Sequence, residues 1–173
     1  MLKSKLENEK TKANGNEHKA TDPSSARRIE APPKSYQDIQ IGDYHELSVN
    51  ITGELIESFA TMTGDFNPIH MDEDYALGTL FKKRIAHGLL PLSFVGTIFG
   101  TVLPGPGSIY LYQNVEFKSP VFLGDSIKVR VEVVTLDSRT PKVTLKTTIV
   151  NQDGKLVIDG EGAILFKPVK EKV

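Results

Sequence analysis

Residues 85–115 read IAHGLLPLSFVGTIFGTVLPGPGSIYLYQNV and contain no Asp, Glu, Lys or Arg. The part from Leu89 to Leu103 is apolar or small on every side, which predicts a helix enclosed by the rest of the protein. It is about 15 residues long, short of the roughly 20 that a membrane-spanning helix needs. Pro104-Gly105-Pro106-Gly107 cannot extend it. We therefore expect a buried core helix that does not insert into a membrane.

A pattern with period two follows this helix. Apolar side chains alternate with polar ones in residues 127–133 and again in residues 143–149. The second of these segments is followed by a hairpin signal, Asn151-Gln152-Asp153-Gly154. Further strands are predicted at residues 44–49, 108–118 and 156–167. Long successive strands predict an antiparallel meander. We expect an α+β fold in which an antiparallel sheet wraps a long central helix. Because one sheet covers only part of such a helix, two chains are expected to pair.

The amino-acid composition excludes several kinds of function. Lys plus Arg number 21 and Asp plus Glu number 22, so no general attraction to nucleic acid is expected. Cysteine is absent, which excludes disulfides, a thiolate nucleophile and a cysteine-based zinc site. The charged first residues lack the apolar core of a signal peptide, so we expect a cytoplasmic protein. We predict a flexible tail over residues 1–34, ending near Pro32-Pro33, and one domain over residues 35–170.

A short turn carries the candidate chemistry. A helix is predicted to begin after Thr52, its N-cap, and to end at Gly64. The next residues, Asp65-Phe66-Asn67-Pro68-Ile69-His70, are predicted to form a loop that Pro68 stiffens. A carboxylate and an imidazole aimed at one point can hold a water molecule, and one group can accept its proton while the other handles a second.

Two other interpretations of Asp65 and His70 stay open from spacing alone. One is a structural turn with a capping Asp. The other is a cation site, but a calcium-binding loop that starts at Asp65 would need Gly where His70 stands. His70 with Asp72 and Asp74 offers oxygen and nitrogen ligands, although the sequence places no second His nearby. We therefore expect no metal.

Residues Phe59 to Ala76 resemble the hydratase motif of the MaoC-like, (R)-specific enoyl-CoA hydratase family. The pattern is an aromatic residue, then Gly-Asp-x-Asn-Pro-aliphatic-His, then a small residue six positions on. The resemblance continues through Ile85-Ala86-His87-Gly88-Leu89, and it covers about residues 36–167. It also includes the segments Leu103-Pro104-Gly105-Pro106-Gly107-Ser108, Phe117-Lys118-Ser119-Pro120-Val121 and Gly124-Asp125.

The resemblance implies a hot-dog fold, a homodimer, and reversible syn hydration of trans-2-enoyl-CoA to (R)-3-hydroxyacyl-CoA in fatty acid metabolism. It assigns the catalytic pair to Asp65 and His70. The substrate is an acyl-CoA or an acyl carrier protein thioester, and no cofactor is expected. Asn67 matches the motif Asn that shapes the loop and is a candidate substrate-binding residue. Ser93 is a second candidate, although the family often has a further Ser where this chain has Gly96.

Gly88 matches the glycine whose backbone N–H binds the thioester oxygen. A physical argument agrees, because Gly88 opens the predicted helix, where N–H groups lack internal partners and the helix dipole is positive. The alternative is that Gly88 only permits close packing. His87, one residue earlier, is expected to be structural. Lys82-Lys83-Arg84 could meet the phosphates of CoA or could be a solvated basic turn.

Two rival functions follow from the same fold. A thioesterase would aim an activated water at the thioester carbonyl, and a non-catalytic subunit would bind the thioester without turnover. The Gly-Asp-x-Asn-Pro-x-His loop favours hydration through the resemblance, and the presence of both Asp65 and His70 disfavours the non-catalytic alternative.

Overall fold

Five antiparallel strands form one sheet in the computed structural model, which describes residues 26–167. All five predicted strands are confirmed with their ends shifted by a few residues at most. The hot-dog arrangement of a helix against an antiparallel sheet is confirmed as well. The strands are β1 (Tyr44–Asn50), β2 (Ser108–Phe117), β3 (Ser126–Leu136), β4 (Lys142–Asn151) and β5 (Leu156–Phe166).

The strand order is β1-β3-β4-β5-β2, so the predicted simple meander is wrong outside β3, β4 and β5. The connection after β2 contains Pro120 and runs back past the start of the long helix, where the Ala86 N–H donates to the carbonyl oxygen of Val121 at 2.8 Å. β2 therefore pairs with β5 instead of β3. Gly160 in β5 permits that pairing, because a Cβ there would lie 2.1 Å from the carbonyl oxygen of Asn114.

Four α-helices accompany the sheet within residues 26–167: α1 (Gly53–Thr63), α2 (Pro68–Met71), α3 (Glu73–Leu77) and α4 (Leu89–Thr101). The predicted ends of α1 are confirmed, since the Thr52 hydroxyl accepts from the Leu55 N–H and Gly64 adopts φ 78°. Pro91 falls in the first turn of α4, as its missing N–H requires. None of these helices has the length and apolar character needed to cross a bilayer.

The sheet covers one side of α4. Val95, Ile98 and Phe99 are buried in the core with β3 and β4 side chains such as Val131 and Leu145. The opposite face is open within a single chain and carries Leu89, Ser93, Thr97 and Gly100. This agrees with the expectation that one sheet covers only part of the helix, and enclosure on every side would need a second chain.

Residues 27–29, which belong to the predicted tail, contact the start of β1 and the turn before it. The Arg27 guanidinium donates to both carboxylate oxygens of buried Asp43, at 2.8 and 2.7 Å. The Ile29 N–H donates to the Tyr44 carbonyl oxygen at 2.7 Å. β1 lies at the edge of the sheet, and its unpaired backbone groups bind this short segment. The earlier part of the predicted tail, residues 1–25, and residues 168–170 of the predicted domain lie outside the described residues.

Candidate active site

The turn between α1 and α2 is built from its own polar side chains. The Asn67 N–H donates to Asp65 Oδ1, and the Ile69 N–H donates to Asn67 Oδ1, both at 3.2 Å. Asn67 is thus the N-cap of α2, and Pro68 occupies its first turn. The predicted loop consequently ends earlier than expected, because this cap starts a helix that contains His70.

His70 is held through both its ring and its backbone. Its Nδ1–H donates to the Ile85 carbonyl oxygen at 2.8 Å, since a carbonyl can only accept. That bond leaves Nε2 unprotonated and able to accept a proton. Arg84 Nε donates to the His70 carbonyl oxygen at 2.7 Å. The residue is 8% exposed, so its ring has a defined orientation.

Burial lowers the pKa of His70 below its ordinary value. The hydrogen bond to Ile85 opposes this shift, nearby His87 adds to it, and the charge of Asp65 opposes it. The net direction favours the neutral imidazole at neutral pH. A neutral imidazole with a free Nε2 can act as a general base.

His87 lies against this pair. Its ring centroid is 4.0 Å from that of His70 and 5.1 Å from that of Phe59. Its Nε2–H donates to the Asp65 carbonyl oxygen at 2.8 Å. Asp65, His70 and His87 each offer a ligand atom, and these atoms lie within 4.8 Å of one another. The sequence showed no second His near His70, because residues 70 and 87 meet only through the tertiary fold.

A cavity of about 320 Å³ opens beside His70. Its walls are mainly apolar, and Gly88 and Lys118 contribute to them. Gly88 is the N-cap of α4, as predicted, and its N–H donates to no acceptor within residues 26–167. The remaining lining residues are Phe81, Ile85, Ala86, His87, Pro91, Phe117, Ser119, Pro120, Val121, Val157 and Ile158.

The fold brings Asp65, His70 and Gly88 to one region, with Asp65 exposed at its margin. It places the other two candidates apart from the cavity wall. Asn67 uses its side chain as a helix cap, and the Ser93 hydroxyl donates to the Leu90 carbonyl oxygen at 2.7 Å on the open face of α4. Together the groups at the cavity can abstract a proton, return one, and stabilise a developing oxyanion.

Sequence reasoning missed two features of the site. Phe117 forms part of the wall, although its strand lies far from the motif in sequence. The second missed feature lies in the predicted basic turn. Lys82 and Lys83 are exposed there, whereas Arg84 donates a hydrogen bond to the His70 carbonyl oxygen. No local signal in the sequence joins Phe117 to the motif or Arg84 to His70.

Several known enzymes are similar to this chain in sequence or in fold. The (R)-specific enoyl-CoA hydratase of Rhodospirillum rubrum is 42% identical over 130 residues, covering 75% of this chain and 90% of that protein. The 3-hydroxybutyryl-CoA dehydratase of Methylorubrum extorquens is 39% identical over 137 residues, covering 79% and 86%. The solved structure of the (R)-hydratase from Aeromonas caviae involved in PHA biosynthesis superposes with a TM-score of 0.74 at 39% identity, covering 76% and 99%.

The family model of the MaoC like domain matches residues 36–154, most of the domain that the structure describes. That span contains the Asp65–His70 turn, the α4 N-terminus and all the residues that line the cavity except Val157 and Ile158. The resemblance seen in the sequence is therefore confirmed, and the chain belongs to the MaoC-like domain family.

Proposed function

We propose that this protein is an (R)-specific enoyl-CoA hydratase, a hydro-lyase that adds water reversibly to trans-2-enoyl-CoA to give (R)-3-hydroxyacyl-CoA. One observation carries the proposal. The His70 imidazole and a helix-terminal N–H that has no acceptor within residues 26–167 line one apolar cavity, and a carboxylate oxygen of Asp65 lies within 4.8 Å of a ring nitrogen of His70. The relatives named above are enoyl-CoA hydratases or dehydratases, which supports the same reaction for this chain.

The geometry suggests an order of events. Asp65 and His70 bind one water molecule, and its proton passes to His70 Nε2 as its oxygen bonds to C3 of the enoyl group. The C2=C3 electrons move toward the thioester oxygen, where the Gly88 N–H at the positive end of α4 stabilises the enolate. His70 then returns the proton to C2. Proton and hydroxyl come from one face, so the addition is syn.

A single assay over enoyl-CoA chain lengths tests this function. Loss of the conjugated enoyl thioester absorbance, with (R)-3-hydroxyacyl-CoA as the product, is the expected result. Release of free CoA thiol without a hydroxylated product would instead identify a thioesterase. Binding of the thioester with no turnover would identify a non-catalytic subunit. Because CoA thioesters are intracellular metabolites, we place the reaction in the cytoplasm and in fatty acid metabolism.

Gly88→Ala is expected to lower kcat/KM by about tenfold, because overpacking a tight contact costs on the order of 1–3 kcal/mol. The new Cβ would lie 3.1 Å from the Phe117 ring, and the backbone at Gly88 is ordinary helix that Ala adopts without strain. The defect is therefore steric and should be measured as a rise in KM. A Gly88→Ala/Phe117→Leu double variant should recover most of the loss. Unchanged kinetics in Gly88→Ala would show that the ring yields freely.

We also propose that two chains form a homodimer through the free edge of the sheet and the open face of α4. β2 is an edge strand, and a long apolar edge without protection favours pairing with another chain. Five apolar or aromatic side chains of β2 stay largely exposed, although Tyr110 touches Phe99, Tyr112 lies near Lys142 and Phe117 borders the cavity. They are Ile109, Tyr110, Leu111, Tyr112 and Phe117, each 44% to 54% exposed.

Leu111→Glu is expected to weaken dimerisation by about 10²-fold or more, because an unpaired buried carboxylate costs several kcal/mol. Sedimentation velocity over a range of concentrations measures the effect. Ser48→Glu, which adds the same charge at an exposed position of the opposite edge strand β1, is the matched control and should remain dimeric. A wild-type chain that sediments as a monomer would contradict the dimer proposal itself.

A further inference from the structure

His87 joins the two parts of the site that act on opposite ends of the substrate's reacting group. Its side chain donates to the Asp65 carbonyl oxygen at 2.8 Å, and its backbone is covalently bonded to Gly88. Asp65 belongs to the turn that carries the proton-transfer groups. Gly88 is the N-cap of α4 and faces the thioester oxygen in the proposed reaction. One side chain thus connects the acid–base turn to the oxyanion donor.

The same ring also contacts His70. The two centroids are 4.0 Å apart with planes inclined by 35°, and Phe59 packs on His87 from another side. His70 is bound at Nδ1 by Ile85 and at its carbonyl by Arg84, while His87 limits the tilt of the ring. The orientation of His70 Nε2 toward the cavity consequently depends on the position of His87.

A histidine at this position carries a cost that an apolar residue would avoid. His87 is 2% exposed, and its Nδ1 is buried without a hydrogen-bond partner in residues 26–167. Burying an unpaired polar atom is unfavourable. A leucine or phenylalanine could fill the same volume between Phe59 and His70 without that penalty. What histidine supplies, and these apolar side chains cannot, is the Nε2–H hydrogen bond to the Asp65 carbonyl oxygen.

We propose that His87 is a positioning residue, which sets the Asp65 turn at the correct distance from Gly88 and holds the ring of His70 in its proton-transfer orientation. The proposal rests on the hydratase function proposed above. It assigns to His87 no contact with substrate and no proton transfer of its own. Since rate depends steeply on the placement of reacting groups, loss of the link should affect kcat more than KM.

The charges around His70 give a second readout. The titratable or charged groups that face it are Asp65, His87 and Arg84. His87 lowers the pKa of His70 in addition to the larger effect of burial. A neutral amide in place of His87 should therefore raise the pKa of His70. Hydration requires the neutral form of His70, so the acid limb of the rate profile should move to higher pH.

The decisive comparison uses two variants of the full chain, His87→Leu and His87→Gln. Glutamine can place an amide N–H close to the position of Nε2 and keep the donor to Asp65, whereas leucine cannot. We expect kcat for crotonyl-CoA hydration to fall about 10²-fold in His87→Leu, with little change in KM. His87→Gln should restore most of that loss. His45→Asn is the matched control, because His45 Nδ1 also donates to a backbone carbonyl oxygen, that of Ile29, away from the site, and asparagine can keep a donor near Nδ1.

Each possible result for the His87 variants supports or overturns the proposed positioning role. Recovery in His87→Gln together with a shifted acid limb supports it. Equal loss in both variants would show that only the ring's packing matters and would overturn it, as would wild-type kcat in His87→Leu. If His87→Leu does not fold, His87→Phe takes its place, because it keeps a ring between Phe59 and His70 and removes the donor to Asp65, and wild-type kcat in that variant overturns the proposal. A wild-type chain without hydratase turnover would overturn the proposed function instead, so the two failures are distinguishable.

Discussion

His70→Asn is expected to lower kcat for enoyl-CoA hydration by about 10³–10⁴-fold, at the upper end of what a general acid–base group contributes. Asparagine can keep an N–H donor near the position of Nδ1 and so preserve the bond to Ile85. It removes Nε2, the atom that takes the water proton. The loss should therefore be catalytic, with circular dichroism and the oligomeric state unchanged.

His70→Gln provides the complementary variant. It places an amide near Nε2 but gives up the donor to Ile85, and an amide cannot accept the proton, so we expect it to be at least as inactive as His70→Asn. Stopped-flow decay of enoyl absorbance measures both. Hydration near the wild-type rate in either folded variant would contradict the assignment of His70.

The pH dependence follows from the direction of the His70 shift. Burial lowers the pKa of His70, so the neutral base persists to lower pH than for an ordinary histidine. The hydration rate should therefore fall as the pH drops through a value below the usual range of histidine. His70→Asn should lose this limb from its residual rate.

Asp65→Asn is expected to lower kcat by about 10²–10⁴-fold for the same class of reason. The substitution preserves the local fold, because the Asn side-chain oxygen can still accept the Asn67 N–H that Asp65 Oδ1 accepts at 3.2 Å. What disappears is the negative charge that orients the water and stabilises protonated His70. Single-turnover hydration measures the loss apart from product release.

Asp72→Asn is the matched control for this variant. Asp72 also caps a helix, accepting the Tyr75 N–H at 3.0 Å, and it is exposed like Asp65. It does not belong to the cluster with His70 and His87. We expect wild-type turnover from Asp72→Asn. An equal loss in both variants would contradict a specific catalytic role for the charge of Asp65.

Local chemistry explains why the elements were predictable. The alternation in β3 and β4, the Thr52 cap and the left-handed Gly64 are encoded within a few residues of where they act. The Asp65–His70 turn is local in the same sense, and its length and order make it recognisable. These features needed no knowledge of which distant segments meet.

The features that sequence reasoning missed all depend on tertiary contacts. β2 pairs with β5, where Gly160 leaves room for the β2 backbone, and neither strand alone shows this pairing. His87 reaches Asp65 across 22 residues, and Arg84 reaches His70 across 14, with no periodicity that links them. One face of α4 is exposed within a single chain because the sheet is too narrow to cover it, and the sequence of the helix does not show this.

The convergence of Asp65 and His70 on one water beside an unsaturated thioester is tested most directly by a structure of the protein with bound (R)-3-hydroxybutyryl-CoA. The account predicts that the C3 hydroxyl oxygen, which marks the position of the added water, lies within about 2.6–3.2 Å of both the Asp65 carboxylate and His70 Nε2. It also predicts that the thioester oxygen accepts the Gly88 N–H. A hydroxyl bound away from either side chain would contradict the account.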